Sequence, residues 1–272
     1  MNIQDIVLDY FPKFDEKSKL FPVVSLLELD PKEKKTIYKT GPIINQGSEG
    51  ACVGFAWTNY LLGEPNKPVN KTNVKEANAF AIDLYKSIKK HDFRAGEDYR
   101  GTSVLAGAFM AQDLGYIDGY YWCFSVEDVK KAVLGIGPVV VGTKWFKSMY
   151  KTREDGLVTV TRNPKHGMHA YVIIGYDPAM KFDDGTHEVF IIKNSWGPSY
   201  GVMGQAYIKV SDFRKLAVMA EMCVPVGKTP PAFNEDGTLS SSQPKQNINV
   251  PRRIVLDLIG RAVDFIARKL GK

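Results

Sequence analysis

The sequence predicts an α+β fold of two packed lobes with a cleft between them, and three observations carry that reading. Helix-period apolar patterns fill the first half, short β-branched runs fill the second, and the texture changes after Gly137-Pro138. In the first half, residues 52–62 read as a buried helix, with Gly50 and Ala51 leading in and apolar residues on nearly every side. Residues 73–90 read as an amphipathic helix with lysines in its last turn. A third helix starts at Thr102 or Ser103, either of which can cap it, and runs to about Leu114 before Gly115. A fourth begins at Ser125, where Ser-Val-Glu-Asp supplies a cap and acidic first-turn residues. In the second half, residues 139–142, 156–160, 170–176, 188–194 and 206–210 read as strands separated by turn signals such as Asp184-Gly185. Leu20 to Val24 reads as a further short strand near the N-terminus.

Composition bounds the function. The chain has 272 residues, 44% hydrophobic and 24% charged, which is ordinary for a globular protein with a substantial core. No uncharged apolar run reaches the roughly 18 residues of a membrane span. MNIQDIVLDYF has no basic stretch followed by an apolar one, so a cytoplasmic start is the expectation. The formal charge of +6 is spread along the chain with no dense basic block, which points away from nucleic acid. Cys52, Cys123 and Cys223 are three in number, which argues against a disulfide framework, and no Cys/His spacing of the zinc type occurs. No metal and no cofactor are expected.

Three segments carry chemistry: residues 45–52, with Gln46 and Cys52; residues 166–171, with Met168 and His169; and residues 192–197, with Asn194 and Trp196. A cysteine in the first turn of a helix feels the positive end of the helix dipole, which lowers a thiol pKa and favours thiolate. A thiolate nucleophile needs a base within hydrogen-bond reach and a third group to hold the base. His169 supplies a base and Asn194 a neutral amide that fixes its tautomer. The Gln46 side-chain amide and the Cys52 backbone N–H supply two donors for an oxyanion. Taken singly, a buried cysteine is more often a small hydrophobe and a histidine beside a strand more often structural. The joint pattern carries the specificity.

QGSEGAC, HGMHAYVIIGY and KNSWGPSYGVMG resemble, in this order, the three signature blocks of papain-like cysteine peptidases over roughly residues 41–226. His169 follows Cys52 somewhat sooner than the roughly 130–150 residues usual there, which shortened loops would explain. The resemblance implies a helical N-terminal lobe and a β-barrel-like C-terminal lobe. It implies Cys52 as nucleophile, His169 as base, Asn194 as its orienting partner and Gln46 as oxyanion donor. Trp196 would shield the His169–Asn194 contact from water. Gly101, in the segment Arg100 to Ser103, and the carbonyl of Met168 would meet the substrate backbone, although Thr102 and Ser103 read better as helix caps. Glu49 stands where secreted members have a disulfide cysteine, Val53 replaces an aromatic and Tyr200 a tryptophan. These departures look like a prokaryotic or viral branch and suit a reducing compartment.

The expected organisation is an N-terminal extension over 1–40, a peptidase domain over 41–227, a flexible linker over 228–250 and an amphipathic helix over 251–272. The stretch before Gln46 is too short for a full helical pro-domain, so no conventional zymogen stage is expected. The C-terminal helix suits docking to a partner protein or to the chain itself, and less well a membrane surface. The functional expectation is a cysteine endopeptidase acting on protein or peptide substrates through an acyl-enzyme. Its alternatives are a structural component of a larger assembly such as a virion, and an amidase or transpeptidase using the same triad.

Overall fold

The computed structural model describes residues 7–27, 31–92, 99–161 and 166–227. The proposed linker and C-terminal helix lie outside the described residues. Within them the helices precede most of the sheet, as the α+β reading expects.

Helix α1 (Cys52–Leu61) is buried along its whole length. Helix α2 (Val74–His91) is capped by Asn73, whose side chain accepts from Glu76 N at 2.8 Å, and buries Ala77, Ala81, Leu84 and Ile88, a single stripe at helical spacing. Helix α3 (Val104–Asp113) is capped by Ser103, not Thr102, and the chain leaves it through Gly115 at φ +71°. Helix α4 (Val126–Gly135) opens with a capping box in which Ser125 and Asp128 bond each other's backbone. A short α5 (Val210–Leu216) completes the set.

The sheet is antiparallel throughout. Its strands are β1 (Thr36–Ile37), β2 (Gly119–Trp122), β3 (Val139–Phe146), β4 (His166–Phe182), β5 (Gly185–Lys193), β6 (Gln205–Lys209) and β7 (Glu221–Val226), in the order β2-β7-β3-β4-β5-β6 with β1 on β4. Side chains alternate across a strand. On β4, Ala170, Val172 and Ile174 therefore enter the core shared with α1, α2 and α3, while Tyr171 and Ile173 enter a second core with α4, α5, Trp145 and Trp196. The two lobes are thus the two sides of one strand pair.

Two expected strands do not form. Residues 156–160 make only isolated bridges, Thr152 to Val158 and Leu157 to Tyr207, because Gly156 at φ +83° closes a turn onto Arg153 and leaves too little straight chain for a ladder. Leu20 to Val24 falls in two short 3₁₀ helices, Glu16–Leu20 and Val23–Leu26. Asp15 caps the first by accepting from Lys17 N, and Pro22 between them has no N–H to give a strand neighbour.

Candidate active site

Cys52 is the first residue of α1 and is fully buried. The loop before it is fastened to the segment after β5. Gln46 N donates to Ser195 O at 2.9 Å and Asn45 bridges Trp196. The Gln46 side chain is held the same way. Its Oε1 accepts from Ser195 Oγ at 2.7 Å, which leaves Nε2 to donate to Glu49 O at 2.9 Å and to Val7 O at 3.4 Å. Ser195, unremarked in the sequence reading, is what aims the Gln46 amide.

His169 lies on β4 opposite Thr143 of β3, and Asn194 follows directly on β5. Their contact is short, with His169 Nε2 to Asn194 Oδ1 at 2.9 Å. The same Oδ1 accepts from Ser195 N at 2.7 Å, so it is the amide oxygen and His169 Nε2 carries the proton. That tautomer leaves Nδ1 as the basic nitrogen, and Nδ1 has no hydrogen-bond partner. Trp196, fully buried, lies against the His169 ring at 4.9 Å between centroids, and Trp145 meets it edge-on at 5.0 Å. Burial under these indoles pushes the imidazole pKa down to about 4, partly opposed by the Asn194 bond.

The thiol is not the thiolate that the helix dipole alone would favour. Burial pushes Cys52 up to about 11, although backbone amides of Ala170, Asp9 and Val53 pull the other way. The cause is visible in the chain. Residues 7–11 run through the cleft as an extended strap over α1. Tyr10 N donates to Met168 O at 3.3 Å, and Phe11 N to Thr102 O at 3.0 Å. Tyr10 pairs in parallel with Thr102. Gly101, at φ +77°, passes so close beneath Asp9 that a methyl there would sit 1.7 Å from the Asp9 carbonyl oxygen. The cleft is closed by the chain itself, and water is excluded from the sulfur.

His169, Asn194, Ser195 and Gln46 are joined by hydrogen bonds, and the Cys52 thiol meets the Ala170 backbone amide next to His169 without a bond to the ring. Met168 offers its carbonyl to a backbone N–H, here that of Tyr10. The pairing expected of Gly101 falls instead on Thr102, since Gly101 N donates to Tyr85 Oη at 2.9 Å. Thr102 Oγ1 bonds Asp92 Oδ2 at 2.7 Å. Beyond Val7 the groove continues into a cavity of about 480 Å³ lined by Ser48, Glu49, Gly50, Tyr85 and Arg100, among others. All three cysteines are free and buried. Among the described residues no cluster of His, Cys, Asp or Glu is arranged to hold a metal ion, and no helix is long and apolar enough to cross a membrane.

Residues 103–226 match the model of the papain family cysteine proteases. This span holds His169, Asn194 and Trp196, while Gln46 and Cys52 precede it. Human cathepsin O is 24% identical over 227 residues, covering 74% of this chain and 67% of its own. Among solved structures, xylellain, a cysteine protease from Xylella fastidiosa, superposes with a TM-score of 0.55 at 14% identity, covering 81% of this chain and 96% of xylellain. Digestive procathepsin L 3 of Tenebrio molitor larval midgut gives 0.54 at 15% identity, covering 82% and 76%. At such identities the structural likeness speaks for the fold alone. The chain thus has a papain-like fold, and its residues 103–226 resemble the papain family cysteine proteases, a likeness that supports a cysteine peptidase.

Proposed function

We propose that the protein is an endopeptidase in which Cys52 attacks the peptide carbonyl, and that residues 7–11 hold it latent by filling the cleft. The observation that supports the site most strongly is the His169–Asn194 bond under Trp196. It fixes the tautomer and leaves His169 Nδ1 as an unpaired base. With the strap out, His169 takes the Cys52 proton and the thiolate adds to the carbonyl carbon. The oxyanion meets the Cys52 backbone N–H and Gln46 Nε2. His169 then returns the proton to the leaving amine, and the acyl-thioester remains on Cys52. Water, deprotonated by His169, releases the acid and restores the thiol.

Latency is supported by the strap's place. Val7 O accepts from Gln46 Nε2, the donor assigned to the oxyanion. A neutral thiol and a neutral imidazole are the groups this buried state favours. The branch reading, prokaryotic or viral, rests on Glu49, Val53 and Tyr200 alone. A reducing, cytoplasmic setting is supported by three unpaired cysteines.

Alkylation by iodoacetamide, mapped by mass spectrometry, tests both parts. Cys52 labels slowly in the intact chain and fast once the strap is displaced, and the fast labelling is lost in His169→Ala. Equal labelling of Cys52, Cys123 and Cys223, indifferent to His169, would sink the peptidase reading.

A further inference from the structure

The strap is anchored by one side chain. Tyr10 is 1% exposed, although the residues on either side of it are not buried. Its ring enters a pocket between β3, β7 and the start of α3. On β3, Gly142 forms the wall, where a methyl would stand 2.3 Å from the ring. On β7, Glu221 forms the floor and is itself 2% exposed.

Glu221 is a carboxylate in an apolar pocket, and α3 keeps it there. Its two oxygens accept from Val104 N at 3.0 Å and Leu105 N at 2.9 Å, the first free amides of that helix. Burial raises its pKa to about 7, opposed by the amides of Leu105, Val104 and Lys13, and once the strap leaves with its Lys13 amide the ionised carboxylate, with about four acceptor sites, has room for a hydroxyl. The Tyr10 hydroxyl lies against it, and Glu221 together with burial holds that phenol protonated, well above its ordinary pKa. The two groups face each other without closing a sound hydrogen bond, since Tyr10 Oη has no partner. A strap tied to Thr102 and Gln46 cannot slide to improve the contact. A separate peptide in the same groove can.

An extended substrate that offers its N–H to Met168 O, as Tyr10 does, drops one side chain into this pocket. We propose that the pocket selects tyrosine in the peptide substrate, with Gly142 making room for the ring and Glu221 accepting its hydroxyl. This rests on the peptidase reading of Cys52. Phenylalanine fills the same space but leaves the spare Glu221 lone pairs unpaired, and leucine leaves a void. A hydrogen bond to a charged acceptor in such a site corresponds to discrimination of about tenfold or more between Tyr and Phe.

The experiment uses the full chain carrying Tyr10→Ala, which empties the pocket and touches no group assigned to catalysis. Four peptides differ only at the pocket residue: Tyr, Phe, Leu and Arg. Two readouts are taken, cleavage rate and protection of Cys52 from iodoacetamide. The Tyr peptide is cut fastest and protects at about tenfold lower concentration than the Phe peptide. In Tyr10→Ala with Glu221→Gln the ratio falls to about one, while the Phe peptide is unaffected. Because Glu221 also caps α3, Gly142→Ala serves as a second variant, and it weakens Tyr and Phe alike while sparing Leu. Equal Tyr and Phe values, a leading Leu or Arg peptide, or a ratio indifferent to Glu221→Gln overturns the proposal. Should no peptide be cut and alkylation be indifferent to His169, the peptidase reading fails, and the order of protection still decides the pocket.

Discussion

The two sides of the cleft are built differently. The His169 side is closed by bonds of 2.7–2.9 Å among His169, Asn194, Ser195 and Gln46, and is packed between Trp145 and Trp196. The strap that faces it is held by backbone bonds of 3.0 and 3.3 Å and one side-chain bond of 3.4 Å, and it carries a carboxylate, Asp9, whose Oδ2 is buried without a partner. The contrast separates a preorganised surface from a removable one. Groups that must meet a transition state are locked by aromatic packing and charge-free hydrogen bonds. The segment proposed to leave is attached by one deep anchor and weak ties.

The contrast can be broken from the His169 side with the largest effects. After strap displacement, His169→Ala is expected to lower kcat by roughly 10²–10⁴-fold and Gln46→Ala by roughly 10²–10³-fold, measured on any cleaved peptide. The same measurement on Ser195→Ala gives a smaller loss, since Ser195 only aims Gln46. Trp196→Ala opens the packing over the His169–Asn194 bond and costs about 3–5 kcal/mol, read as a shift in the denaturant midpoint. Should Trp196→Ala leave stability intact, the preorganised side is looser than its burial says.

Changes to the strap act on access and leave the fold intact. Tyr10→Ala removes the anchor, and Cys52 labelling in the otherwise intact chain rises about tenfold or more, each tenfold step being about 1.4 kcal/mol of docking. Asp9 gives the smallest effect and a sign. Burial raises its pKa, opposed by Arg100, so docking favours the protonated acid. Strap docking is therefore complete below the ordinary carboxylate range and weakens as pH rises through the raised value. Asp9→Asn removes that dependence and slows labelling at neutral pH, with Cys123 as the internal reference for thiol ionisation. Faster labelling in Asp9→Asn would show that attraction to Arg100, and not burial, governs the strap.

Much of the scaffold was legible along the chain because its signals are local. Asn73, Ser103 and the Ser125–Asp128 pair announce helix starts by chemistry within three residues of each cap. A β-branched, apolar run over residues 170–176 announced the core of β4. Of the three strands that escaped notice, β1, β2 and β7, the last two pair with each other: Tyr120 pairs with Pro225, a residue that reads as a strand breaker, and Tyr60 Oη reaches the Pro225 carbonyl from α1.

What the sequence determined by itself is the proposed set of reacting groups. Gln46, Cys52, His169, Asn194 and Trp196 sit in three short blocks whose residue types suffice to name the chemistry. What only tertiary structure decided is the state of that chemistry. The helix dipole at Cys52 is a local property and favours thiolate, but pKa depends on everything that displaces water, and a strap more than forty residues upstream displaces it. Nothing in Val7-Leu8-Asp9-Tyr10-Phe11 marks it as a cleft occupant, and nothing in Glu221 marks it as a pocket floor. Both facts follow from the joining of β3, β7, α1 and α3 around one groove, and long-range packing of that kind leaves no periodicity to read.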